Sequence, residues 1–125
     1  MRLTEDSSSP INLIRGYSAG ELKINDQSYE DAVILSPREL LTDASLSTVA
    51  DLSPTHATRI LELDPELVLV GSGPKQIFPA ASFGAHFLRA GVGFEVMDTG
   101  AACRTFNVLA AEQRRVVAVL IVNQS

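Results

Sequence analysis

The second half of the chain restricts the fold most, because three apolar runs there are separated by two helical patterns. "LVLV" (67–70), "GFEVM" (93–97) and "RVVAVLIV" (115–122) read as strands. Between the first two lies a helix predicted from about Pro79 to Ala90, with Phe83, Phe87 and Ala90 on one face and Gly91 as its stop. Asp98-Thr99 then opens a helix running to about Arg114. The order is β-α-β-α-β over about 60 residues. Crossovers of that length demand parallel pairing and a right-handed path. The last run is almost continuously apolar, as a central strand covered on both faces must be.

The first half reads differently. "NLIRGYS" and "ELKIN" flank a turn at Ala19-Gly20, and Asn25-Asp26 marks a second turn. "SYEDAVILS" predicts a third strand, with Tyr29, Ala32/Val33 and Leu35 toward a core and Pro37 closing it. These strands are expected to pair antiparallel. "LLTDASLSTVADL" reads as irregular. Ser53-Pro54 opens a helix, since the hydroxyl caps and a proline at the first helical position needs no N–H. Ala57, Ile60 and Leu61 give it one apolar face, and Asp64-Pro65 ends it. Residues 1–10, "MRLTEDSSSP", read as a loosely held tail, and residues 11–125 as a single domain.

Charge and residue usage exclude several functions. Ten basic against fifteen acidic residues give a net charge of −5, and the densest basic spot is only Arg114-Arg115. That argues against a nucleic-acid partner. One cysteine rules out an internal disulfide, and with two distant histidines no zinc site is expected. The polar, acidic start lacks a signal peptide's apolar core. The longest apolar run, Val116 to Val122, falls far short of the roughly 20 residues of a membrane helix. The expectation is a cytoplasmic protein with no cofactor, no metal and no membrane span.

Gly71-Ser72-Gly73 resembles a phosphate loop, but a dinucleotide fingerprint requires glycine where Gln76 stands, and Pro74 interrupts the helix start. A Walker loop fails as well, since Lys75 follows Gly73 by two and precedes Gln76. A β-to-α turn with glycines at positive φ accounts for the residues equally. Gly91-Val92-Gly93 reads as a helix stop and a strand start. Near Asp98-Thr99, Cys103 ends the first helical turn, where the helix dipole and Arg104 favour a thiolate. Burial of a small apolar cysteine is the competing expectation. His86 reads as a residue flanking the core, His56 as solvated, and Glu95 as exposed or paired with Arg104 or Arg114. No Ser-His-Asp set follows from the spacing. Ligands of open parallel sheets sit beyond the carboxyl ends of the strands. If the first two parallel strands are neighbours, Gly71, Ser72, Gly73, Asp98, Thr99, Gly100, Cys103 and Arg104 gather at one spot suited to a small anion or a partner's carboxylate.

The pattern "LVLVGSGPKQIF…LRAGVGFEVMDTGAACRTFNVLAAEQRRVVAVLI" resembles the Mth-type domain-of-unknown-function family over about residues 11–122. Its most specific parts are Gly71–Gly73 and the run from Glu95 to Leu109. One departure is Glu112-Gln113-Arg114, where relatives often carry Glu-Gly-Arg. The resemblance implies a compact three-layer α/β sandwich with a mixed central sheet, and it carries no established enzyme activity to transfer to these residues. The family's eukaryotic members, a mitochondrial complex I assembly factor and an adipogenesis-associated protein, imply a non-enzymatic protein-binding or assembly-factor-like role. The alternative is a small-molecule or nucleotide-binding protein, possibly an enzyme, using the Gly71–Gly73 loop and the Thr99–Arg104 helix start.

Overall fold

The last apolar run becomes the centre of the molecule. The computed structural model describes residues 11–18 and 20–122. The expected tail over 1–10, Ala19 of the first turn and residues 123–125 lie outside the described residues. In chain order the strands are β1 (Ile14–Ser18), β2 (Glu21–Ile24), β3 (Gln27–Tyr29), β4 (Ala32–Leu35), β5 (Leu40–Asp43), β6 (Leu67–Gly71), β7 (Gly93–Met97) and β8 (Val116–Leu120). The helices are α1 (Pro54–Leu61), α2 (Ala81–Arg89) and α3 (Thr99–Ala111). A five-stranded sheet has the order β5-β4-β8-β6-β7. β6 runs parallel to both β7 and β8, while β4 runs antiparallel to β5 and β8. The sheet is therefore mixed, with the parallel part supplied by the β-α-β-α-β half.

Alternation along β8 divides the core in two. Val117, Val119 and Ile121 pack with Ala57 and Ile60 of α1 and with Phe83 and Phe87 of α2. Val116, Ala118 and Leu120 point the other way, toward Ala102, Cys103, Phe106 and Ala110 of α3 and Ile14, Leu22 and Ile24 of the small sheet. That small antiparallel sheet, β1-β2-β3, lies beside α3 and completes the third layer. Each face thus receives one side of the same strand, which is why β8 shows no polar position.

Several local expectations change. "SYEDAVILS" is two strands in two sheets: β3 pairs with β2, and after exposed Glu30 and Asp31, β4 joins the large sheet. The division follows burial, since every residue of β4 is covered whereas β3 is a sheet edge. The stretch read as irregular contains β5 and a short 3₁₀ turn, Val49–Asp51, closed by a Thr48–Asp51 capping box. β5 is an edge strand with Leu41 and Thr42 exposed, so it carries no hydrophobic alternation to read. Ala90 is exposed and lies off the core face of α2. Helix α3 stops at Ala111, short of Arg114, in a Schellman motif. There Gln113 N–H reaches Ala110 O at 3.0 Å and Arg114 N–H reaches Leu109 O at 3.0 Å. Gln113 takes φ +64, the left-handed conformation that glycine adopts freely.

Gly71, at the end of β6, lets α3 approach the sheet. A Cβ there would lie 3.0 Å from the Thr99 Cα and 3.1 Å from both Ala102 Cβ and Leu120 Cδ2. Backbone stands on one side, so the contact cannot relax by a rotamer change. Gly71→Ala is expected to cost about 1–3 kcal/mol by overpacking. Gly16→Ala, whose Cβ would meet nothing within 4 Å, should stay within about 0.5 kcal/mol. Urea unfolding of the two variants checks this, and equal midpoints would refute it.

Candidate functional site

Parallel pairing of β6 with β7 brings the Gly71–Gly73 loop beside the Asp98–Gly100 loop. The two loops are hydrogen-bonded to each other. Ser72 N–H donates to Met97 O at 2.9 Å, and Thr99 N–H donates to Gly73 O at 2.8 Å. Gly73 N–H donates to the Thr99 hydroxyl at 2.8 Å, and that hydroxyl donates to Ile121 O at 2.8 Å. Thr99 is fully buried. Gly73 sits at φ +104, so glycine is required there by conformation. Asp98 is the N-cap of α3, its carboxylate accepting Ala101 N–H at 2.8 Å. Gly71, Ser72, Gly73, Asp98 and Thr99 therefore meet, as their positions at the strand ends predict.

Gly100, Cys103 and Arg104 line a separate hollow of about 220 Å³ together with Arg15 and Tyr17 of β1. Asn107 clamps β1 there, accepting Ile14 N–H at 3.0 Å and donating to Ile14 O at 2.8 Å. Cys103 is buried against this strand. Burial pushes its thiol up to about 12; Arg104 opposes the rise and Asp98 adds to it. The dipole-and-arginine argument for a lowered pKa is thus outweighed by desolvation.

The segment after Gly73 is ordered by side chains. Ser72 Oγ donates to Lys75 O at 2.5 Å and accepts Ile77 N–H at 2.9 Å. Gln76 Nε2 donates to Val96 O of β7 at 3.0 Å. On this fixed backbone Ile77 and Phe78 stand 50% and 67% exposed. The "QIF" triplet between two prolines was the signal available in the sequence, masked by the glycines before it.

His56 is not solvated as expected. Its Nδ1 accepts Ser53 N–H at 3.1 Å and lies 2.8 Å from Ser53 Oγ, while Nε2 lies 3.0 Å from Asp43 Oδ2. A backbone N–H can only donate, so Nδ1 is the acceptor and Nε2–H faces the carboxylate. Asp43 is held below the usual carboxylate range by the Ser45 hydroxyl, against an opposing effect of burial. Ser53, His56 and Asp43 have the connectivity of a nucleophile, base and orienting acid. The Nδ1 lone pair, however, already receives the Ser53 backbone, so the set caps α1 and ties it to β5. Glu95 is exposed on β7, and Arg114 pairs instead with Glu66 at 2.9 Å. His86 is half-buried on α2, as a residue flanking the core should be. Among the described residues no cluster of His, Cys, Asp and Glu is arranged to hold a metal, and no helix is long and apolar enough to cross a membrane.

The Cys103 assignment has two measurable consequences. Its folded pKa lies above the unfolded value, so the thiol's contribution to stability is intact below about 9.0 and is lost as pH rises toward about 12. Alkylation of the native protein by iodoacetamide should still be accelerating above pH 10. A midpoint at the free-thiol value of about 8.5 would overturn the assignment.

With this geometry in view, comparison with known proteins is informative. The profile of the family described as "Protein of unknown function (DUF498/DUF598)" matches residues 14–121. The chain is 28% identical over 122 residues to the "13 kDa major membrane protein" of Francisella tularensis subsp. holarctica, covering 97% of this chain and 99% of that one. It is 26% identical over 120 residues to the Danio rerio protein named NADH dehydrogenase (ubiquinone) 1 alpha subcomplex assembly factor 3, covering 95% of this chain and 69% of that one. Among solved structures, Xanthomonas campestris XCC1710 superposes with a TM-score of 0.85 at 35% identity, over 98% of this chain and 92% of that one. The chain is similar, at 27% identity and a TM-score of 0.81, to a solved Bordetella pertussis protein described as a Mth938-like domain, and it belongs to the DUF498/DUF598 family of unknown function.

Proposed function

We propose that this protein is a non-enzymatic binding module of the assembly-factor kind, which docks a partner polypeptide through the loop from Pro74 to Ala80. The observation that carries this reading is the exposure of Ile77 and Phe78 on a backbone already held by Ser72 and Gln76. Large apolar side chains exposed to water mark interaction surfaces, and an aromatic anchor supplies a disproportionate share of interface energy. Because the loop is fixed before binding, little ordering entropy opposes association. Leu88 of α2, 69% exposed, adds apolar surface on the helix that this loop leads into. The likeness to a protein named as an assembly factor supports a protein partner.

A photo-crosslinking residue at position 78 tests this in the native host. Adducts are expected there and not with the same residue at exposed Thr58 of α1. The Ile77→Ser/Phe78→Ala variant should lower recovery of the cross-linked partner at least tenfold. Its unfolding free energy should stay within about 0.5 kcal/mol of the parent. Equal adducts at 58 and 78, or undiminished recovery with the double variant, would sink the proposal.

A second reading, a small anion held at the Thr99–Arg104 helix start without the Gly71–Gly73 loop, is supported by the hollow lined by Arg15, Gly100 and Arg104. Sulfate titration followed by amide NMR is expected to move Gly100 and Arg104. Unmoved signals for Gly100 and Arg104 would end this reading.

A further inference from the structure

At the opposite end of the large sheet, the amino ends of β6 and β8 open into a groove of about 740 Å³. Its walls are the β4–β5 turn at Ser36–Glu39, the loop after α1 at Leu63 and Asp64, and the last turn of α3. Ile11, Pro37 and Leu63, half-buried, and exposed Ala111 supply its apolar surface, with buried Ala110, Val116 and Val117 behind them. The volume falls in the range of about 300–1,000 Å³ typical of small-molecule sites.

Three arginines stand on the rim in a chain whose net charge is −5. Arg38, Arg114 and Arg115 line the groove against two carboxylates, Glu39 and Asp64. Glu39 accepts a hydrogen bond from the Ser36 hydroxyl. Arg114 is anchored through Nε, which donates to Glu66 Oε2 at 2.9 Å. Arg115 is anchored through Nε as well, donating to Asp64 O at 3.0 Å with the Asp64 carboxylate 3.7 Å away, while its backbone N–H donates to Glu66 Oε1 at 3.0 Å. Fastening a guanidinium at Nε leaves its two terminal nitrogens, a planar fork matched to a carboxylate.

We propose that this groove binds an amphiphilic carboxylate, with its aliphatic or aromatic body on Ile11, Leu63 and Ala111 and its carboxylate gripped by Arg114 and Arg115. The apolar surface requires a hydrocarbon body, and the paired forks require an anionic head. Neither part alone satisfies both surfaces. This site is independent of the Ile77–Phe78 loop, and either can fail without the other.

Octanoate is the probe, titrated into the isotope-labelled full chain with acetate and octanol as separate arms. Octanoate is expected to move the amides of Ala110, Ala111, Val116 and Val117 saturably, while acetate and octanol bind at least tenfold more weakly. Arg114→Gln with Arg115→Gln should weaken octanoate at least tenfold. Because that pair also releases Glu66, a second variant guards the test: Ala111→Phe, at an exposed position, fills the groove and should abolish binding with distant amides unchanged. Unmoved groove amides, equal binding of octanol, or undiminished binding by Ala111→Phe would overturn the proposal.

Discussion

The hydroxyl of Thr99 holds three parts of the chain together. It accepts from Gly73 after β6, donates to Ile121 after β8, and belongs to the first turn of α3. Neither bond is unusual alone, each contributing about 0.5–1.5 kcal/mol net. Their placement matters more than their strength. A fully buried hydroxyl with both roles satisfied fixes where the helix begins relative to two strands. Gly71 then sets how close the helix lies, and α3 in turn supports β1 through Asn107. The carboxyl edge at which α/β sheets commonly receive ligands is stitched across by the same bonds. Other surfaces, the outer side of the following loop and the far end of the sheet, carry the exposed apolar and cationic groups.

The third layer shows how a mixed fold covers a central strand with unlike materials. One face of β8 meets two helices, whereas the other meets a single helix and a three-stranded sheet. Cys103 sits at the seam of that second face, between α3 and β1. Its chemistry follows from this position. A thiol pressed against a strand loses hydration faster than a neighbouring guanidinium can compensate, so it serves as a small packing group.

Much of this was legible in the residues. The runs 67–70 and 116–122 announced strands because burial leaves a continuous apolar signature, 93–97 followed from its place between two helical patterns, and Gly91 announced the end of α2. The same logic hid β5, whose outer edge and exposed Leu41 and Thr42 remove any alternation. It also fused β3 with β4, since a change of sheet at Glu30-Asp31 leaves no glycine or proline behind. At the candidate site, residue types predicted correctly that the two loops converge. They could not show that Gly73 N–H and the Thr99 hydroxyl satisfy each other, because that depends on the register of β6 against β7. The His56–Asp43 contact was invisible for a similar reason: one partner lies on the strand that had no signature.

The amide of Gln76 has a consequence for crowded surroundings. β7 ends the large sheet, and an open strand there is a template on which further copies can stack. Gln76 reaches over and occupies the Val96 carbonyl of that strand. The loop that holds Ile77 and Phe78 out to solvent therefore also interrupts the backbone ladder beside them. A visitor can engage the protruding side chains without fusing its own strand to the sheet. One outward carbonyl of this edge strand is thus closed to backbone pairing by a short polar arm.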